Sequence, residues 1–212
     1  MNTYPKRNRG EIQIDVEKIV ESVDLNKANE LKRKYLPTES FDFYKYLDAE
    51  ICLYDACIRA EETGLDKLTG KRVLDLGCGA GYIPYVYKHF GHVVVGVDAR
   101  NDPFYIDMAK LLGIDYHVLN IKRKTPACCG LGRFDYVTAH AVTFDEHWCS
   151  DDYIYFLNDV SKNILNPSGK LFMSLNYNWR YKHIQDMFIN YGCDLSINRV
   201  RFSNGNKAPA TS

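Results

Sequence analysis

The sequence predicts an α/β fold: a three-layer sandwich around a doubly wound, mostly parallel sheet of six or seven strands, preceded by an N-terminal helical cap. Three observations carry this. From Lys71 onward, short apolar strands alternate with amphipathic helices, an order that requires crossover connections and a parallel sheet covered on both faces. The first of those strands runs into a turn holding Gly77, Gly79 and Gly81. Upstream, residues 1–68 read as helices from their apolar spacing.

Each element follows from local pattern. Ile12, Ile14, Val16, Ile19, Val20 and Val23 form a first apolar run; Leu25, Ala28, Leu31 and Leu36 continue it with a charged opposite face until Pro37 breaks it. A third helix is expected over Phe41 to Glu62, with Phe43, Tyr46, Leu47, Ile51, Tyr54 and Ile58 on one stripe and Gly64 as its stop. Val73 to Leu76 reads as a buried strand, and Tyr82 to Phe90 as a helix that tolerates Pro84 because the residue lies in the first turn. A strand over His92 to Val97, a helix over Asp102 to Leu112 and a strand over Ile114 to Leu119 follow. Phe134 to Ala139 is the fourth strand, and Asp151 to Leu165 a helix turning Ile154, Leu157, Val160 and Ile164 inward. After the turn Asn166-Pro167-Ser168-Gly169 come a strand from Lys170 to Leu175, a helix from Arg180 to Tyr191 and one last strand from Asp194 to Phe202. The expected division is a helical cap over 1–68, an α/β domain over 69–203 and a loose tail over 204–212.

Composition narrows the function. A chain of 212 residues, 46% hydrophobic and 13% aromatic, can bury a core without metal or disulfide staples. Its 27 basic and 27 acidic side chains cancel, which removes the electrostatic footprint of a nucleic-acid binder. No apolar stretch approaches the roughly 20 residues of a membrane span, and the polar start from Met1 to Gly10 lacks the apolar centre of a signal peptide. Seven cysteines, an odd number with no Cys-x-x-Cys pair, fit reduced thiols in the cytoplasm and provide no zinc set.

Parallel sheets bind ligands beyond the carboxyl ends of their strands, so the residues after each strand matter most. The first strand leads into Asp75-Leu76-Gly77-Cys78-Gly79-Ala80-Gly81-Tyr82. Glycines there let backbone approach a ligand closely. The pattern is G-x-G-x-G, and Tyr82 occupies the place of the third glycine of a dinucleotide loop, which counts against NAD or FAD. Asp75, two residues before the first glycine, suits an ammonium group better than a pyrophosphate. No Gly-Lys-Ser/Thr ending marks a nucleoside triphosphate site. The second strand ends at Asp98, whose carboxylate can accept both hydrogens of a ribose diol; capping of the next helix is the plainer use of the same residue.

Val73 to Gly81 together with Gly96-Val97-Asp98 resembles the cofactor motif of the class I S-adenosylmethionine-dependent methyltransferases, a Rossmann-like superfamily. The likeness continues through Phe134 to Ala139 and Leu165 to Leu171 and covers about residues 70–176. It implies S-adenosyl-L-methionine as cofactor and 69–203 as its binding domain. By the same resemblance, Asp75, the backbone of Gly77, Cys78, Gly79 and Gly81, and the neighbouring Tyr82 hold the methionine part. Asp98 holds the ribose, and Ala99 packs beside the adenine. Asn120 and Ile121 stand near the adenine amino group, Asn120 where the family often has an aspartate. Ala139 and His140 meet the methionine ammonium at the end of the fourth strand. Tyr46 on the cap contributes an aromatic face to a sulfonium, whose charge favours such faces. The family usually ends in a strand hairpin, of which only Asp194 to Phe202 is visible here, so the acceptor side is expected to be open or completed by a second subunit of a homodimer.

Methyl transfer is a displacement at a carbon already activated by positive sulfur, so the protein chiefly positions the acceptor and excludes water. The segment from His140 to Cys149 follows the fourth strand and gathers histidines, acids and aromatics. His147 is the candidate base or acceptor-orienting group, with Glu146 or Asp145 to orient it and His140 as a second candidate. Asn176 at the end of the fifth strand can hydrogen-bond an acceptor. The expected activity is methyl transfer to an O or N atom of a small molecule, with no metal. Two rivals keep the same motif: an intramolecular cyclisation of the cofactor that releases methylthioadenosine, and a catalytically silent binding module.

Overall fold

The computed structural model describes residues 12–37, 44, 46–127, 130–142, 148–175, 180–196 and 199–205. Seven strands make one sheet: β1 (Arg72–Leu76), β2 (Val93–Asp98), β3 (Asp115–Val118), β4 (Phe134–Val142), β5 (Leu165–Leu175), β6 (Asp194–Ser196) and β7 (Arg199–Ser203). Their order is β3-β2-β1-β4-β5-β7-β6. The first five run parallel, while β7 is antiparallel to both β5 and β6. Strand order reverses between β1 and β4, which places the ligand crevice beyond Leu76 and Val142.

Helices cover both faces. On one lie α1 (Val16–Glu21), α2 (Leu25–Tyr35), α3 (Ala49–Thr63), α4 (Tyr82–His89) and α5 (Pro103–Leu111); on the other lie α6 (Ser150–Asp159) and α7 (Lys182–Asn190). Ile19, Ala28 and Leu53 of the first three helices share one core with Val86, Phe104 and Met108 of α4 and α5. A second core joins Leu74, Val137 and Met173 of the sheet to Tyr153, Leu157 and Phe188 of α6 and α7. Aspartates start four of these helices: the side chains of Asp15, Asp24, Asp48 and Asp102 accept from backbone N–H groups of α1, α2, α3 and α5.

The structure corrects several expectations. The third helix begins at Ala49, where Asp48 caps it, and not at Phe41; Phe41 and Phe43 lie outside the described residues. Its buried stripe is the small one, Ala49, Leu53, Ala56, Cys57 and Ala60, because α4 packs closely against it; Ile51 is 54% exposed. The helix from Ser150 closes in a π turn, Val160–Ile164, and Ile154 sits on its outer side. The expected turn from Asn166 to Gly169 is an irregular start of β5. The segment from Asp194 to Phe202 is two antiparallel strands, so the terminal hairpin is present and the sheet has seven strands. Asn204, within the stretch expected to be loose, bonds Ser161, Asn166 and Gly169; residues 206–212 lie outside the described part.

Candidate functional site

The turn after β1 is folded inward. Gly77, Gly79 and Gly81 take φ of 73°, 54° and 89°, the left-handed region that a β-carbon disfavours. Four amide groups of the turn are used internally: Gly77 and Cys78 both donate to Val97 O, at 2.7 and 3.0 Å, Gly81 donates to Cys78 O at 3.0 Å, and Gly79 donates to Asp98 Oδ2 at 2.9 Å. An anion cradle points such N–H groups outward at the ligand; this turn spends three of them on β2 and one on itself. Cys78 explains the tightness. Its buried thiol occupies the space beside Gly96, where a β-carbon would stand 2.9 Å from Sγ. Burial, with Asp75 and Asp98 adding to it, pushes the Cys78 thiol far above its usual range.

The aspartates flank the turn. Asp98, half-buried at the end of β2, also accepts from Arg100 N at 3.0 Å. A carboxylate has lone pairs beyond those two bonds, and these are what a ribose diol needs. Asp75 is 1% exposed on β1. Its Oδ1 accepts from the Thr138 hydroxyl at 2.6 Å, while Oδ2 is buried with no partner among the described residues. Burial raises the Asp75 pKa to about 7, against the Thr138 bond and with help from the Asp98 charge. An unpaired buried carboxylate oxygen is costly, and a cation or N–H donor brought beside it would relieve that cost.

Aromatic residues close one side. The Tyr105 ring lies 3.9 Å from where a Gly79 β-carbon would be, and the Tyr46 ring meets Tyr105 edge-on with centroids 5.8 Å apart. Tyr82, buried at the start of α4, donates its hydroxyl to Tyr46 O at 2.9 Å. Tyr46, Tyr82 and the glycine turn are thus brought together. Ala99 follows Asp98 on the exposed surface, and the segment after β3 is tied to it by Leu119 N donating to Asp98 O at 2.7 Å. Asn120 is exposed there, and Ile121 packs against the core on the α6 side.

The end of β4 differs from the expected picture. The strand does not stop at Ala139; it runs to Val142 through an irregularity at Ala141, which takes φ of 53° and donates its N–H to Ser174 Oγ at 2.8 Å. Val142 then lies over Gly77, its Cγ2 2.5 Å from a β-carbon built there. The Ala139 side chain faces the opposite core, so only its backbone is available to a ligand. His140 is 7% exposed and bonds the Tyr87 hydroxyl through Nε2 at 3.1 Å. Burial, with Arg59 and Arg199 nearby, lowers its pKa to about 3, so near neutrality it is uncharged and too weak a base for the proton role considered for it. His147, Glu146, Asp145 and Asn176 lie outside the described residues.

Thr138, Tyr87, Tyr105 and Val142 escaped the sequence reading. Of these only Thr138 had a signal, alternation along β4, which puts it and His140 on the same face as Tyr136.

No protein-family model matches the chain. The Bradyrhizobium sp. (strain ORS 278) ubiquinone biosynthesis O-methyltransferase is 36% identical over 134 residues, which is 59% of this chain and 49% of that protein. The Bartonella tribocorum (strain CIP 105476 / IBS 506) protein of the same name is 30% identical over 157 residues, 69% of this chain and 58% of its own length. The chain thus spans about half the length of the curated relatives it matches. Among solved structures, a magnesium protoporphyrin IX methyltransferase from Synechocystis PCC 6803 with bound SAM superposes with a TM-score of 0.53 at 15% identity, over 92% of this chain and 99% of that one.

Proposed function

We propose that this chain, whose fold is that of the class I S-adenosylmethionine-dependent methyltransferases, transfers a methyl group from S-adenosyl-L-methionine to an oxygen of a small-molecule acceptor. One observation carries the cofactor assignment: the glycine turn has its N–H groups folded inward while Asp75 Oδ2 is left buried and unpaired beside it. That arrangement refuses a phosphate and favours a ligand with a positive charge and an ammonium group. The residues therefore fit the cofactor. Asp75 and the backbone of Gly77 to Gly81 would hold its amino-acid part, Asp98 its ribose, and Tyr46 and Tyr105 would offer aromatic faces to the positive end. When bound, S-adenosyl-L-methionine supplies a methyl group on positively charged sulfur, and the acceptor hydroxyl gives up one proton as S-adenosylhomocysteine forms.

The chain's own contribution is placement. Val142 and the left-handed Ala141 close the floor over Gly77, and the end of β4 faces the acceptor side. The names of the relatives support oxygen as the receiving atom. Cancelling charges support a small acceptor over a nucleic acid, and His147 is assigned on sequence grounds as the group that takes the hydroxyl proton. Residues 1–68 act as the cap, through Tyr46, in this reading. No described helix is long and apolar enough to cross a membrane.

The test is calorimetric titration of the purified chain with S-adenosylhomocysteine, with NAD and ATP as controls, followed by mass analysis of nucleosides after incubation with S-adenosyl-L-methionine and hydroxylated acceptors. Binding of the first alone, with S-adenosylhomocysteine as product, supports the assignment. Methylthioadenosine as product would replace it with the cyclisation reading, and absence of cofactor binding would leave only a binding module.

A further inference from the structure

A polar row crosses the carboxyl ends of β4 and β5 and the amino end of the antiparallel β7. His140 pairs with Ser174, and Ser174 with Arg199, so the three side chains share one face of the sheet. The C-terminal turn of α3 lies over it: Glu62 bridges Arg59, at 2.9 Å, and Arg199. The row is buried at His140 and Ser174 but opens at Arg199, whose side chain is 33% exposed.

Proton counting shows what the row lacks. The Thr138 hydroxyl proton goes to Asp75 Oδ1 and the Thr63 proton to Ala60 O. The Tyr87 hydroxyl, which also meets the Thr63 and Thr138 side chains, bonds His140 Nε2 at 3.1 Å, with the imidazole tautomer setting which of the two donates. A neutral imidazole that accepts at Nε2 carries its hydrogen on Nδ1. Nδ1 is buried and without a partner among the described residues, and so is Nε of Arg199. Ser174 Oγ already accepts from Ala141 N, which leaves its own proton to donate. Among the described residues the row therefore offers the Ser174 hydroxyl and Arg199 Nε–H without a matching acceptor, joined by His140 Nδ1–H when Nε2 accepts. The charge around it is positive as well. Arg59 and Arg199 share the single carboxylate of Glu62, and along the same face Lys170 and Arg201 are set against Asp194.

We infer that the His140–Ser174–Arg199 row anchors the acceptor and takes a carboxylate, so that the acceptor is a hydroxy acid. This deepens the methyltransferase reading and rests on it. The cofactor carries a carboxylate too, but its amino-acid end belongs at β1. The Arg199 backbone stands three interstrand spacings from β1, about 14 Å, while its guanidinium reaches back to Glu62 of α3, so the Arg199→Met variant below separates the two carboxylates.

The probes are 3,4-dihydroxybenzoate and catechol, titrated by calorimetry into the full chain already loaded with S-adenosylhomocysteine. The acid is expected to bind at least about tenfold tighter than catechol. Arg199→Met should bring the two within about twofold while S-adenosylhomocysteine affinity stays unchanged. Glu62→Gln, which frees Arg199 and keeps both arginines, should tighten the acid further and keeps the inference testable if Arg199→Met fails to fold. Equal binding of the two probes to the wild-type protein overturns the inference. So does a preference that survives Arg199→Met, and so does a loss of S-adenosylhomocysteine affinity in that variant, which would make the cofactor's carboxylate the occupant. Failure of S-adenosylhomocysteine to bind the wild-type chain is seen before any acid is added; it overturns the methyltransferase reading, and this inference with it.

Discussion

The Thr138 hydroxyl donates to Asp75 Oδ1 at 2.6 Å, and nothing among the described residues meets the other oxygen of that buried carboxylate. The pair joins β1 to β4 across the point where strand order reverses. It holds in reserve an interaction that a cationic ligand would complete.

Asp75 should therefore make the free protein sensitive to pH. Its pKa rises from the ordinary 3.8 to about 7 on folding, with burial the main cause. Between those values the native state binds the extra proton, so this group's contribution to stability falls as pH rises from about 4 to about 7 and is constant above. The free chain should unfold at a lower temperature at pH 8 than at pH 5.5, and Asp75→Asn should flatten that difference. Cofactor affinity should move the opposite way, strengthening as Asp75 ionises. Thermal unfolding across pH with and without S-adenosylhomocysteine checks both signs; an identical pH profile in Asp75→Asn would remove Asp75 from the account.

Asp98 holds the turn by accepting from Gly79 N and Arg100 N, and in the proposed reading it also holds the ribose. Asp98→Ala should weaken S-adenosylhomocysteine binding by about 1.5–3 kcal/mol, the scale of a charged hydrogen bond. Asp98→Asn keeps an acceptor for Gly79 and should lose less. Titration calorimetry on both variants measures the split. Unchanged binding in Asp98→Ala would take the ribose away from β2.

Much of this half of the site was legible because it is local. A short apolar strand, glycines at every second position and a carboxylate ending the next strand are contiguous in sequence, and the unit β1–α4–β2 needs no distant partner to be read. The acceptor half was not legible in the same way. His140 takes its place because β4 continues past Ala139 through a left-handed alanine, a conformation that composition does not announce. The row it joins exists only through pairing with Ser174 and Arg199, and register across three strands is invisible in a single chain. The terminal hairpin was missed because no glycine or proline stands between Asp194 and Phe202. The α3 stripe was misread because large residues were weighed above alanines, yet close helix packing selects the small side chains.

Gly77 and Val142 should behave as a coupled pair. A β-carbon on Gly77 would meet Val142 Cγ2 at 2.5 Å and would hold φ of 73°, a conformation costing an L-residue about 1–2 kcal/mol by itself. Gly77→Ala should destabilise the fold by more than that and reduce cofactor affinity. Adding Val142→Ala should recover the steric part only, leaving the backbone cost. Denaturant unfolding of the two single variants and the double variant gives the coupling energy; strict additivity would mean that the two residues do not touch.

Gly96 and Cys78 provide the parallel test on the opposite wall of the turn. The Cys78 thiol fills the space above Gly96, 2.9 Å from where a β-carbon would project, and both residues belong to backbone that β1 and β2 hold in register. Gly96→Ala carries no positive-φ penalty, so its effect is steric: displacement of the turn at Cys78 and a tighter contact with Ile114 Cγ2 at 3.3 Å. It should weaken S-adenosylhomocysteine binding while costing less stability than Gly77→Ala. Cys78→Ala alone removes the thiol and opens a small void, with a cost of about 1 kcal/mol. Together the two substitutions exchange one methyl-sized volume for another and should restore both stability and affinity towards those of the parent. A double variant that binds no better than Gly96→Ala would show that the thiol is not what sets the turn's distance from β2, and that the inward fold of its amides is held by the Val97 carbonyl and Asp98 alone.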